Sequence, residues 1–70
     1  MSERLQSARR NAGITITELA RQAGVSRTTI EKAERADNIR YEYAVRIVNA
    51  LNTLANSSHT VESLNISTAR

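Results

Sequence analysis

Cysteine and proline are both missing from this 70-residue chain, and histidine occurs once, at His59. Without cysteine there is no disulfide and no thiolate metal site to reinforce a core, and one histidine does not make a zinc site. Neither a metal nor a cofactor is therefore expected. No apolar run approaches the length of a membrane span, and the first twenty residues hold no apolar stretch of the kind an export signal needs. The expectation is no membrane and a cytoplasmic location, which the absence of cysteine fits. The chain also lacks a nucleophile set beside a base, a phosphate-cradling glycine loop and the length to enclose a deep pocket, so an enzyme is the least expected class.

A chain this short buries only roughly 60% of the surface its unfolded form exposes. Stability must come from packed helices, with a partner subunit as a further source. The formal charge is +3, from ten Lys and Arg against seven Asp and Glu, an excess that says little by itself. Its placement says more. Arg27, Lys32, Arg35 and Arg40 lie in one stretch and Arg4, Arg9 and Arg10 in another, so a local positive face is available.

Apolar residues recur at spacings of three and four, and β-branched residues do not alternate, which predicts an all-α chain. A first helix is expected from about Ser2 to Asn11, burying Leu5, Ala8 and then Ala12, and ended by Gly13. Thr15 and Glu18 have the spacing of a capping box, opening a second helix from Ile16 to about Ala23 with Ile16, Leu19, Ala20 and Ala23 on one face. Gly24 interrupts it, and Ser26 is a favoured N-cap for a third helix that runs to about Arg35. In that helix Ile30 and Ala33 face inward, whereas Arg27, Thr28, Glu31, Lys32 and Arg35 fall on the other side. Asp37-Asn38 signals a turn. The clearest periodicity, Ala44, Ile47, Val48, Leu51 and Leu54, predicts a fourth helix from about Tyr41 to Leu54. Asn56-Ser57-Ser58 breaks it, Thr60 caps a short fifth helix with Val61 and Leu64 on one face, and residues 67–70 form a frayed tail after a single domain over residues 1–66.

Two short helices joined by a glycine-containing turn, the second carrying basic and hydroxyl groups outward, make a helix-turn-helix. Ala20 is small where the two helices cross, Gly24 lets the chain reverse, and Val25 and Ile30 hold the second helix against the first. The exposed side fits a major groove about 12 Å wide.

The run from Gly13 to Arg35, GITITELARQAGVSRTTIEKAER, resembles the helix-turn-helix of phage repressors and Cro proteins and of the small bacterial regulators built like them, with ELARQAGVSRTTI as its most specific part. That resemblance extends from Leu5 to about Leu64. It implies a compact five-helix domain of the lambda-repressor kind whose third helix reads double-stranded DNA, commonly as a homodimer on a palindromic operator, the dimer forming in free solution or only on DNA. Carried over residue by residue, it makes Arg27, Thr28 and Lys32 base-contacting candidates, with Ser26 and Thr29 secondary. Arg27 suits guanine O6 and N7, Thr28 offers a hydroxyl and a methyl for thymine, and Lys32 reaches an acceptor or a phosphate. Phosphate anchoring falls to Thr17 and the first-turn N–H groups of the second helix and to Arg40, then to Arg10 and Arg35. Arg9 and Glu34 stand where some phage repressors tie the first helix to the third by a buried salt bridge.

The chain departs from the family at two points. Ile16 stands where glutamine often supports the recognition helix and touches the DNA backbone, and Ala36 where many relatives end that helix with glycine. Of the remaining residues, one of Tyr41 and Tyr43 is expected under the fourth helix and the other near phosphates or a partner. His59 is expected to be exposed, and Leu51, Leu54, Val61 and Leu64 to be core or in part a dimer face. The leading expectation is a sequence-specific regulator of transcription, most simply a repressor. The alternative is a protein-interaction module, antirepressor-like or antitoxin-like, favoured by the modest net charge and by Glu31 and Asp37.

Overall fold

A computed structural model describes residues 4–69. Among them the chain forms four α-helices: α1 (Leu5–Asn11), α2 (Ile16–Ala23), α3 (Arg27–Glu34) and α4 (Tyr41–Ala55). Two-residue strands, β1 (Ile39–Arg40) and β2 (Thr68–Ala69), pair in parallel, with Ile39 opposite Thr68 and Arg40 opposite Ala69.

The helices start where side chains can accept their free N–H groups. Thr15 Oγ1 accepts from the Glu18 N–H at 3.1 Å while Glu18 Oε1 accepts from the Thr15 N–H at 3.2 Å, completing the capping box. Ser26 Oγ accepts from the Thr29 N–H at 3.2 Å and opens α3. Arg4 is extended and α1 begins at Leu5, later than Ser2; residues 2 and 3 lie outside the described residues.

All four helices close alike, with one residue in the left-handed region and a paired N–H return to the last turn. Gly13, Gly24, Ala36 and Asn56 have φ of +72°, +70°, +63° and +53°. The following N–H reaches five residues back: Ile14 to the Arg9 carbonyl, Val25 to Ala20, Asp37 to Lys32 and Ser57 to Asn52. A methyl group at Gly24 would meet nothing within 4 Å, so this glycine supplies conformation and not space. Ala36 takes the same conformation without that freedom.

Leu5, Leu19, Ile30, Ile47, Leu51 and Leu64 are the largest fully buried side chains and define a core to which every helix contributes. α2 packs against both α3 and α4, with Ala20 buried and Ile16 and Val25 half-buried against the core. Ala12, expected inside, is exposed: α1 stops at Asn11, and beyond the turn Ile14 is buried instead. Leu54 is 39% exposed although it continues the α4 stripe, and beyond Leu51 it is Ala55 that packs half-buried against the core.

The C-terminal segment departs most from expectation. The resemblance implies a fifth helix, but residues 61–65 make a single turn. Thr60 and Ser63 cap each other reciprocally at 2.9 and 3.0 Å, and Asn65 (φ +56°) closes the turn one step later. The turn has no room to propagate before the left-handed residue stops it. Nor is the tail free through Ala69. Ile66 is buried, the Ser67 carbonyl accepts from the Ile39 N–H at 3.2 Å, and residues 68 and 69 form β2, whereas Arg70 lies outside the described residues. His59, expected to be exposed, is half-buried, because the Asn52 amide holds its backbone: Nδ2 donates to the His59 carbonyl at 2.9 Å and Oδ1 accepts from the His59 N–H at 2.8 Å. Among the described residues, no helix is long and apolar enough to cross a membrane.

Candidate nucleic-acid interface

Only Ile30 and Ala33 of α3 are buried, so its opposite side is free to carry polar groups. At 100° per residue Thr28 stands nearly opposite that buried pair, with Arg27 toward one flank and Lys32 toward the other. Arg27, Thr28, Glu31 and Lys32 are all exposed. Ser26 and Thr29 are committed to one another, their hydroxyls 2.9 Å apart, which leaves them fewer valences for any outside partner.

Each flank of α3 opens onto a shallow hollow. On the side of α2 a hollow of about 470 Å³ is lined by Arg10, Thr17 and Arg27 together with the turn from Gly13 to Ile16. Thr17 belongs to the first turn of α2, where the helix dipole and free N–H groups favour negative charge. On the side of α4 a second hollow, about 210 Å³, is lined by Thr29, Lys32, Asn38, Ile39, Arg40 and Tyr43. The candidates thus form two groups: Arg10, Thr17 and Arg27 on one flank, Lys32 and Arg40 on the other.

Arg35 joins neither group. Its Nε and Nη2 both contact Asp37 Oδ2 at 3.4 Å, and it lines a separate hollow with Gln6, Ile16, Glu31 and Glu34. Arg40 lies 3.7 Å from Glu42, but both side chains are largely exposed, so this pairing is weak and easily exchanged. Glu31 is the carboxylate that α3 turns outward.

From the sequence Asn38 is expected only as a turn residue and Tyr43 as one of two tyrosines under the fourth helix or near phosphates, while Arg46 is not singled out. Tyr43 packs half-buried against the core and also lines the Lys32 and Arg40 hollow, while the Arg46 guanidinium carbon sits 5.9 Å from its ring centroid. Arg40, Tyr43 and Arg46 are three apart, and that step was the signal available. Tyr41 is 48% exposed.

The orientation of α3 is fixed from behind by Arg9 on α1. Its Nε donates to Glu34 Oε2 at 2.5 Å, its Nη2 to Glu34 Oε1 at 3.3 Å, and its Nη1 to the Ile14 carbonyl at 2.9 Å. One guanidinium therefore joins α1, the turn before α2 and the end of α3, with the fork geometry that arginine alone supplies.

A sequence model described as helix-turn-helix matches residues 5–54, a span that contains all of α1 to α3 and the run that resembles phage repressors and Cro proteins. Comparison with curated proteins and with solved structures gave no match.

Proposed function

The chain belongs to the helix-turn-helix family of DNA-binding regulators, and from that premise we propose that it binds double-stranded DNA sequence-specifically through α3 in the major groove, as a non-enzymatic, cytoplasmic repressor of transcription. The observation that carries this reading is the arrangement around α3: Thr28 at its crest, and a basic hollow on either flank. A duplex presents base edges in the groove and a phosphate strand on each side of it, so a reader needs one central and two lateral contact zones.

In this reading Arg27, Thr28 and Lys32 meet base edges, and Ser26 and Thr29 contribute less because they bond to each other. Thr17 and Arg10 hold one phosphate strand; Arg40 holds the other. Arg35 is the weakest of the phosphate candidates, as it lines neither flanking hollow and stands instead beside Glu31 and Glu34. Ile16 packs on the core where the family often has glutamine, so anchoring at that flank rests on Thr17 and Arg10. The working unit is a homodimer on a palindromic operator. Selection of bound duplexes from a random pool tests this directly: an enriched motif with two-fold symmetry is expected, and recovery of unenriched sequence would overturn specific reading.

The outward Glu31 favours a second reading, a module that binds another protein through the same face. A fluorescence titration with random duplex at low salt separates the two, because basic readers bind nonspecifically at micromolar concentration. Absence of binding there would favour the protein partner.

A further inference from the structure

The segment after α4 takes no part in the arrangement just described, yet it ends beside it. Asn52 fixes its start, Val61, Leu64 and Ile66 bury themselves along its length, and β2 then lies alongside β1. β1 is the link from α3 to α4. Ile39 is buried and Arg40 exposed, so the extended backbone of these two residues decides where Arg40 projects.

Past the Asp37 N–H, which returns to the Lys32 carbonyl, the link is anchored by the buried Ile39 side chain and by its pairing with β2. The link begins at Ala36 in a conformation alanine disfavours, and α4 starts at Tyr41 with no side-chain cap from the preceding Arg40, unlike α2 and α3. The contact that closes the gap comes from the far end of the chain: the Ile39 N–H donates to the Ser67 carbonyl, and the register sets the Ala69 N–H toward the Ile39 carbonyl.

We infer that β2 is a positioning strand for the interface: by pairing with β1 it holds Arg40 and the start of α4 in place, and so completes the flank shared with Lys32. The inference rests on the DNA-binding reading above. It makes duplex affinity depend on residues 67–69, none of which lines either flanking hollow.

The test is a double-mutant cycle in the full-length chain, combined with amide hydrogen exchange. Ala69→Pro removes the pairing N–H at an exposed position; Thr68→Gly loosens β2 more mildly and serves if the proline variant does not fold. Arg40→Ala is expected to weaken duplex binding by roughly five-fold in the parent but by less than about two-fold once Ala69→Pro is present, whereas Arg27→Ala keeps its full loss in both backgrounds. Exchange of the Ile39 amide should speed up in Ala69→Pro without DNA. Losses from Arg40→Ala and Ala69→Pro that simply multiply would overturn the positioning role, as would an unchanged Ile39 amide. If the parent binds no duplex at micromolar concentration, the DNA reading fails, and the Ile39 amide still decides whether β2 holds β1.

Discussion

Arg9 and Glu34 meet across 25 positions of sequence with side chains only 10% and 6% exposed, and the same arginine also holds the Ile14 carbonyl. A pair so placed is asymmetric in its energetics. Its net contribution is small, because two charges have left water, but losing one partner strands the other.

Glu34→Ala is therefore expected to destabilise the domain by about 3 kcal/mol, since Arg9 would stay enclosed with only the Ile14 carbonyl to satisfy it. In a domain of this size that corresponds to a fall in Tm of roughly 12–24 °C. Denaturant melts check it; a change under about 0.5 kcal/mol would show that water replaces the carboxylate.

Ala36→Gly should act in the opposite direction. A left-handed alanine carries a penalty of roughly 1–2 kcal/mol, and glycine returns part of that through its freer unfolded chain, leaving a net gain of about 0.5–1 kcal/mol. Thermal melting at one pH is sufficient; a loss of stability would mean that the Ala36 methyl packs better than its exposure implies.

Arg27 and Arg40 should fail differently. Arg27→Ala is expected to cost about 1–3 kcal/mol on the preferred duplex and to relax preference at one base pair. Arg40→Ala should weaken all duplexes alike and reduce the salt slope by about 1. Titrations at several salt concentrations on specific and scrambled duplexes distinguish them, and equal losses from both on every sequence would contradict the division.

Asn52→Ala removes the side chain that holds the backbone of His59 and accepts from Ser57 Oγ at 3.1 Å. The expected loss is about 2 kcal/mol, from hydrogen bonds broken and partly buried backbone groups left unpaired. Faster exchange of the His59 amide should accompany it, and unaltered protection there would refute the clamp.

Reading the sequence located α2, α3 and α4 because their signals are local: Thr15 and Ser26 as caps, Gly24 as a stop, a sustained 3.6-residue period in α4. It missed what depends on distant partners. Thr68 and Ala69 have no pattern of their own, and they are a strand only because Ile39 offers an edge. Asn52 looks like a solvent-facing residue on a periodic helix, although its amide matches a backbone seven residues on. The resemblance marks Ala36 as standing where many relatives end the helix with glycine, but its own propensity gave no sign that it takes the same left-handed conformation, φ +63°. The candidate interface was legible as single residues, while their division into two flanks, and the separation of Arg35 from both, required the packing of α1 and α4.

The commitment of Ile30, Ala33 and the Glu34 carboxylate alone among α3 side chains to buried contacts has an evolutionary corollary. Most of α3 carries no obligation to folding, so substitutions at its crest and shoulders are expected to be nearly silent in heat tolerance. Descendants of one ancestor could then diverge in what they recognise through a handful of codon changes, with the scaffold beneath inherited intact.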